Sequence, residues 1–157
     1  MPRNHKILLT ADPELGPKIL EFIEKGLSAK QAIDHVIVGC KKIQWRQLSV
    51  IDDKGRTACF SGSEALGIHA MAEGENCVSM GNMLESENIP SAMIKDFEQS
   101  EGTLPERLLT GIEAGLAAGG DAGPIHSAGI LVAKKDVSWP MVNLHVDWDD
   151  EPDNAVR

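Results

Sequence analysis

The feature that most constrains the fold is a β-hairpin signal between residues 48 and 60. Leu48 and Val50 alternate with polar residues, and this period of two is typical of a strand with one buried face. Residues 52–55 read Asp-Asp-Lys-Gly, which favours a tight turn, and residues 57–60 are predicted to return as a second strand. Part of the core must therefore be built on antiparallel sheet.

Two helices are predicted ahead of this hairpin. Asp12 is suited to cap the first helix, Pro13 to occupy its first position, and Gly26 to end it. Ser28 and Gln31 have the spacing of a capping box, which predicts the start of the second helix. Apolar residues recur every three or four positions in both segments, so each helix has one face to bury.

After the hairpin the chain has a weak pattern and then a helical one. Residues 62–74 are punctuated by glycine and predict no element, whereas residues 77–80 predict a short strand. Steps of four predict helices over residues 89–97 and 104–116. The second of these opens with a capping box and a proline in its first turn.

The last third of the chain begins with a helix end at Gly119 and Gly120, where a left-handed cap is expected. Residues 128–133 are apolar on both faces, which predicts a strand covered on both sides. Residues 142–148 alternate, which predicts a strand with one buried face. Residues 148–157 are acidic without an apolar period, and we expect a frayed tail.

The order of these elements is helix, helix, strands, helix, helix, strands. Together with the hairpin connections, it favours helices layered on antiparallel sheet, an α+β fold, over a parallel doubly wound sheet. A chain of 157 residues is long enough for one core, so we expect a single domain over residues 1–147.

Charge and hydropathy exclude several kinds of partner. The chain has 15 basic and 24 acidic residues and a net charge of −9, without a basic stripe, so nucleic acid is not an expected partner. No apolar run approaches the length of a membrane span, and the first residues do not form a signal sequence. We therefore expect no membrane partner and a cytoplasmic location.

Metal and disulfide chemistry are not indicated either. Cys40, Cys59 and Cys77 lie in no CxxC pair, so the sequence predicts neither a disulfide framework nor a zinc site. His69 and Glu73 are four residues apart, but the flanking glycines argue against a helix that would present both to one metal ion. We expect no metal and no cofactor.

The segment 119–127 contains glycines, an aspartate, a histidine and a serine. A phosphate loop requires glycines before a helix, whereas here a helix ends and a strand begins. Asp121, His126 and Ser127 are residue types of a hydrolytic triad, but neighbours on a strand point to opposite faces. The segment is therefore predicted to stop a helix and to line a pocket at the entry to a strand.

Several separated motifs occur along the chain in a fixed order. They are Arg46-Gln47, the turn at 53–56, Phe60-Ser61-Gly62, Gly81-Asn82-Met83-Leu84, Glu106-Arg107-Leu108-Leu109, the run at 114–121, and Ser127-Ala128. In this order they resemble the bacterial DUF1028 family, an uncharacterised group placed in the Ntn-hydrolase superfamily. The resemblance extends over residues 12–147.

The resemblance implies an αββα sandwich, in which two antiparallel sheets lie between helical layers. It also implies hydrolysis of an amide or related acyl bond by an N-terminal Thr, Ser or Cys whose own α-amino group acts as the base. A small amide or acyl compound is the substrate class that follows from this chemistry.

The chain departs from the family pattern in two places. Members carry a pair of strands ahead of the region that begins near Leu8, so we expect the first strands and the nucleophile to be missing. The catalytic residue is then unknown and the hydrolase activity impaired. Many members also have a basic, glycine-rich segment ending in Gln-Ser where this chain reads His126-Ser127.

Five residues are candidates for a pocket. Asn82 is the first, because its amide can donate a hydrogen bond to a developing negative oxygen. Its alternative role is that of a turn residue after Gly81. The remaining candidates for the pocket lining are Ser127, His126, Arg46 and Ser61.

A second hypothesis comes from another functional class. The same sandwich would serve as a non-catalytic binding or self-assembly module, because missing first strands would uncover a sheet edge and apolar surface. We therefore expect a homo-oligomer.

Overall fold

The computed structural model describes residues 12–156 of the chain. Four α-helices lie within them: α1 Leu15–Glu24, α2 Ala29–Gly39, α3 Ile89–Gln99 and α4 Leu104–Ala117. The same range contains six strands: β1 Gln47–Ile51, β2 Thr57–Ser61, β3 Ile68–Gly74, β4 Cys77–Leu84, β5 Ala128–Val132 and β6 Val142–Val146. Consecutive strands pair into three small antiparallel sheets, so the predicted mixed α+β class is confirmed.

Helix starts follow the predicted capping chemistry at two of three sites. Gln31 accepts from the backbone N–H of Ser28 at 3.0 Å, and Glu106 accepts from that of Thr103 at 2.8 Å, as capping boxes require. At α1 the predicted cap is wrong, because Glu14 occupies the N-cap position. Asp12 instead accepts from the N–H of Glu14 at 3.1 Å in a turn that includes Pro13 and precedes the helix.

The predicted β1–β2 hairpin is confirmed, with register running from Gln47 opposite Ser61 to Ile51 opposite Thr57. Its turn is organised by Asp52, whose side chain is fully buried. The Asp52 carboxylate accepts from the backbone N–H of Lys54 at 2.9 Å and of Arg56 at 3.0 Å. It also accepts from Arg56 Nε at 2.7 Å.

A fourth donor to the same carboxylate comes from a helix. The backbone N–H of Ala29, the first residue of α2, donates to Asp52 Oδ2 at 3.2 Å. Asp52 therefore ties the hairpin turn to the start of α2 and satisfies one of the free N–H groups at that helix end. Val50 and Ala58 are buried against Ile33 and Val36 of α2 in the same core cluster.

Residues 62–74, which predict no element, contain β3. This strand pairs antiparallel with β4, and β4 extends to Leu84 rather than ending at the predicted residue 80. Gly67, Glu73 and Gly74 weaken the local preference for strand, so β3 depends on its pairing with β4. On this strand His69 and Glu73 lie roughly 13 Å apart, too far to share a metal ion.

The helices and the first two hairpins are stacked in layers. α2 packs on one face of β1–β2, the other face of this hairpin contacts β3–β4, and α3 packs on the far side of β3–β4. α4 completes the stack by packing on α3. Gly115 allows this close approach, because a Cβ added there would lie 2.9 Å from Met93 Cγ of α3.

The predicted glycine stop of α4 is confirmed. The N–H of Gly119 donates to Leu116 O and that of Gly120 to Gly115 O, both at 3.0 Å, which is the Schellman pattern. Both glycines have positive φ, 127° and 65°. The chain leaves α4 toward β4, where the N–H of Glu85 donates to Gly120 O at 3.0 Å.

The β5–β6 hairpin is less covered than its sequence predicts. Leu131 of β5 is 66% exposed, so the prediction of a strand buried on both faces is wrong. On the opposite face, α4 packs against β5 and leaves Leu144 of β6, also 66% exposed, in contact with solvent. An apolar run shows that a strand is suited to burial. Whether the strand is in fact buried depends on which other elements of the chain pack against it.

The acidic segment after β6 makes specific contacts, in contrast to the expected fraying. The N–H of Asp149 donates to His126 O and that of Asp153 to Ile125 O, both at 2.8 Å. A 3-10 helix, Asn154–Val156, follows, and Val156 is buried. These hydrogen bonds hold the segment beside the entry to β5. No helix within residues 12–156 is long and apolar enough to cross a bilayer.

We expect Asp52→Asn to lower the thermal unfolding midpoint at pH 7 by several degrees. An amide presents one acceptor and one donor group, so part of the donor set from Ala29, Lys54 and Arg56 would lose its acceptor. Circular dichroism melting measures the change. Asp53→Asn removes the same charge from an exposed neighbour and should leave the midpoint unchanged.

The stability difference between wild type and Asp52→Asn should also depend on pH. Burial opposes ionisation, but the hydrogen bonds from Lys54, Arg56 and Ala29 outweigh it and lower the pKa of Asp52 from 3.8 to about 2. The contribution to stability is then complete above the unfolded-state pKa and is lost as pH falls through about 2. The difference between Asp52→Asn and wild type should shrink on acidification, and a difference that stays constant down to this pH would contradict the assignment.

Candidate functional site

One side chain connects the two stacked hairpins at their end. Gln47 Nε2 donates to Ser61 Oγ at 3.2 Å on the neighbouring strand and to Gly81 O at 2.9 Å on β4. Because Gln47 lies opposite Ser61 in the β1–β2 register, both side chains leave the same face of the hairpin. The Gln47 amide therefore fixes the relative position of Ser61 and the Gly81–Asn82 segment.

β4 is irregular directly after Gly81. Ile68 pairs with Leu84 and Ala70 with Gly81, so two steps along β3 are matched by three along β4. This extra residue is a β-bulge at Asn82–Met83. Met83 has φ 54°, a left-handed conformation that is unfavourable for a side chain of its size.

The surrounding chain holds the bulge from both sides. The N–H of Met83 donates to Leu66 O at 2.8 Å, and its carbonyl accepts from the N–H of Ala122 at 2.7 Å. Leu84 and Asp121 form an isolated bridge beside it. The strained backbone is thus enforced by the glycine-bearing link before β3 and by the segment after α4. Such enforced strain occurs preferentially at functional sites.

Asn82, the first sequence candidate, is exposed at this bulge. Within residues 12–156 its carboxamide forms no hydrogen bond, whereas the carbonyl of Gly81 is occupied by Gln47. The Ser61 hydroxyl accepts from Gln47, and its own proton is donated to no acceptor in the part of the chain that the structure describes. Asn82 and Ser61 are therefore brought to the same end of the two hairpins, with hydrogen-bond donors available for a carbonyl oxygen.

Arg46 lies beside this group but points away from it. Its backbone is extended, with φ −113° and ψ 150°, so its side chain and that of Gln47 leave the chain in opposite directions. Two of its guanidinium nitrogens, Nε and Nη1, are buried without a hydrogen-bond partner in the part of the chain that the structure describes. Arg46 therefore does not contribute to the Gln47–Ser61–Gly81 hydrogen bonds.

His126 and Ser127 belong to a different part of the fold. One ring nitrogen of His126, Nδ1, is 2.7 Å from Asp149 O, and the ring stacks on Trp148 with centroids 4.0 Å apart. Ser127 is exposed before β5. Between residues 12 and 156, no side-chain hydrogen bond joins Asp121, His126 and Ser127, so these residues do not form a triad.

The loop after α4 lines a shallow depression. Residues 119–125, except Gly120, surround it together with Glu85, Pro152 and Asp153. Partial burial raises the pKa of Asp121 there. His126 and Ser127 are not among its lining residues.

Gln47 and Met83 matter more to this site than the sequence predicts. Gln47 is a polar residue in an alternating strand, a pattern that normally indicates a solvent face, and only the Arg46-Gln47 motif marks it. The left-handed conformation of Met83 has no residue-type signal, although the Gly81-Asn82 pair beside it is turn-like.

Among residues 12–156, no activated nucleophile is found beside Asn82 and Ser61. The Thr57 hydroxyl donates to the Glu73 carboxylate at 2.6 Å, but it lies at the turn end of β2. Ser61 is hydrogen-bonded to an amide rather than to a base. Cys59 lies on β2, where burial and then the Glu73 carboxylate raise its pKa to about 11. Burial likewise raises the pKa of the Cys77 thiol. Neither the Ser61 hydroxyl nor these two thiols is therefore activated for attack on a carbonyl group.

The sequence profile described as "Family of unknown function (DUF1028)" matches residues 8–156. The chain belongs to the DUF1028 family. The resemblance predicted from the ordered motifs is therefore confirmed at the level of the family. A comparison with curated proteins finds no match.

A solved DUF1028 structure has the same fold. The crystal structure of protein SPO2555 from Silicibacter pomeroyi is 29% identical to the chain and superposes with a TM-score of 0.81. The match covers 92% of this chain and 61% of the SPO2555 chain. The fold of this DUF1028 protein is thus shared by its relative, and the chain spans about three fifths of that relative's length.

We expect the native protein to resist thiol labelling at Cys59. The rise of its pKa from 9.0 to about 11 lowers the thiolate fraction about a hundredfold near neutral pH. Iodoacetamide at pH 8, followed by peptide mass mapping, should label Cys59 only after unfolding in guanidinium. Burial raises the pKa of Cys59 more than the Glu73 carboxylate does, so labelling should stay slow in Glu73→Gln. Rapid labelling of Cys59 in the native wild-type protein would contradict a buried thiol.

Proposed function

We propose that this DUF1028 chain carries the substrate-binding part of an Ntn-type site that hydrolyses amide or related acyl bonds. The observation that carries the proposal is the Gln47 bridge to the strained bulge at Asn82–Met83. It places the Asn82 carboxamide and the Ser61 hydroxyl, neither of which donates a hydrogen bond within residues 12–156, at one end of two stacked hairpins.

The arrangement of layers supports this assignment. Helices α1 and α2, hairpin β1–β2, hairpin β3–β4, and helices α3 and α4 follow one another in space. This is the order expected of an αββα sandwich, the architecture that the Ntn resemblance implies. In such a sandwich the bridge formed by Gln47 lies in the layer between the two sheets.

The donors suit a carbonyl group that develops negative charge. The Asn82 amide would donate to this oxygen, and the bulge would hold the amide in position during the reaction. The Ser61 hydroxyl would donate to a second acceptor on the substrate, since its acceptor side is occupied by Gln47. Gln47 acts as a positioning residue, because both of its contacts are to the protein.

The hydrogen bonds of Ser61 suit substrate binding but not hydrolysis. The Ser61 hydroxyl at this site is hydrogen-bonded to an amide rather than to a base. The Thr57 hydroxyl, which donates to the Glu73 carboxylate at 2.6 Å, lies at the turn end of β2, away from Ser61. We therefore expect the 157-residue chain to bind simple amides without hydrolysing them. Incubation with N-acetylglycinamide and product analysis by mass spectrometry should give the rate of the protein-free control. Catalytic turnover by this chain would contradict this expectation.

Binding is tested at Asn82 itself. In a nitrogen-15 NMR titration with N-acetylglycinamide, the side-chain amide signal of Asn82 and the backbone signals of Ser61 and Gly81 should shift together. Asn82→Ala removes one hydrogen bond and should weaken binding roughly two- to tenfold. Asn143→Ala removes an exposed carboxamide from β6 and serves as the matched control. If N-acetylglycinamide shifts signals elsewhere but not those of Asn82, Ser61 and Gly81, the proposed site is wrong.

A second candidate function, self-association, is favoured by the β5–β6 hairpin. Ile130 pairs with Leu144 and Ala128 with Val146, so one face of the hairpin is apolar on both strands. Because α4 packs on the β5 side, the β6 side of this face stays open, with Leu144 66% exposed. Exposed apolar patches of this kind mark interaction surfaces.

We expect Leu144→Lys to shift a self-associated form to the monomer in sedimentation velocity, because a charge at this position would have to be buried in the contact. Leu131→Lys is the matched control, since Leu131 is equally exposed but lies on the other face of the hairpin. Equal effects of the two substitutions, or a wild-type protein that is monomeric at all concentrations, would rule out this surface.

A further inference from the structure

Arg46 differs from the other arginines that the structure describes. Arg56 donates from Nε to Asp52 at 2.7 Å, and Arg107 donates from Nη2 to Phe97 O at 3.1 Å while lying over the Phe97 ring. Arg46 buries Nε and Nη1 with no acceptor within residues 12–156. A guanidinium group stays charged, and a buried charge without a partner is strongly unfavourable.

Positive charge continues along the preceding residues. Lys41 and Lys42 are exposed, and neither they nor Arg46 forms a salt bridge to an acidic residue between residues 12 and 156. Three unpaired cations thus fall within six residues of a chain whose net charge is −9. The segment 41–46 is thus a cluster of basic residues on an acidic protein.

The backbone under Arg46 is held rigidly. Its carbonyl accepts from the N–H of Gly62 at 2.8 Å, and Gln44 O accepts from the N–H of Glu64 at 2.7 Å. Gly62 lies so close to this segment that an added Cβ would come within 2.3 Å of Gln44 O. The guanidinium is therefore attached to a fixed frame, as an anion receptor requires.

We propose that segment 41–46 binds a small carboxylate ligand through the guanidinium group of Arg46. A carboxylate supplies the planar acceptor pair that complements a guanidinium group, and the resulting hydrogen bonds are charge-assisted. The two lysines attract the anion to the segment.

This site is separate from the proposed amide site. Arg46 and Gln47 leave an extended backbone in opposite directions, so the bound carboxylate lies away from Ser61 and Asn82. A glutarate titration should consequently leave the side-chain signal of Asn82 unshifted. Carboxylate binding and amide binding are thus measured independently, and either can fail without the other.

The experiment compares wild type with Arg46→Met, which keeps a long apolar side chain and removes the charge. Thermal unfolding and calorimetric titration are measured with sodium glutarate, acetate and phosphate, each against sodium chloride at equal ionic strength. Wild type should show a saturable rise of the midpoint with glutarate and a smaller response to phosphate. Arg46→Met should bind glutarate at least about tenfold more weakly.

The ligand-free variants distinguish a receptor from a structural arginine. Arg46→Met should be at least as stable as wild type without ligand, because it removes an unpartnered buried charge. Marked destabilisation of this variant would reveal a partner within the protein and overturn the proposal. Lys95→Met, an exposed control for net charge, should bind glutarate as wild type does. A glutarate response of wild-type strength in Arg46→Met would overturn the proposal too, as would preferential phosphate binding by wild type.

Discussion

The buried carboxylate of Asp52 is the interaction on which the other layers depend. It joins the β1–β2 turn to the first N–H of α2, and so presses one face of the hairpin onto the helix. The other face is then presented to β3–β4, where Gln47 reaches Gly81. The bulge at Asn82–Met83 is positioned through that contact, so a single acidic group far from the bulge helps to determine its place.

The elements of this fold that can be predicted from the sequence are those whose ends are fixed by residues that hydrogen-bond to neighbouring backbone groups. Ser28 with Gln31, Thr103 with Glu106, and the glycines after α4 act on neighbouring backbone groups, which makes them readable from the sequence. β3 has no such signal, because its stability comes from pairing with β4. The exposure of β5 is equally hidden from the sequence, since it depends on where α4 stops covering the sheet.

In the candidate site, too, some features can be predicted from the sequence and others depend on tertiary contacts. The chemistry of Asn82 and Ser61 and the ordered motifs were sufficient to select residues that the fold brings to one end of the hairpins. His126 was selected by residue type, and its ring is instead engaged by Asp149 and Trp148. The left-handed backbone of Met83 follows from tertiary constraints at Leu66 and Ala122, which no local pattern encodes.

The partial covering of β5–β6 has a consequence for how this protein opens. The hairpin is joined to the remaining layers chiefly through the contact of α4 with β5 and the bridge between Leu84 and Asp121. Little apolar surface would be exposed if it detached, so its opening costs less free energy than that of the β1–β2 layer. Amide hydrogens of β6 would then exchange with solvent through local opening, while those of β1 and β2 would exchange only when the whole molecule unfolds.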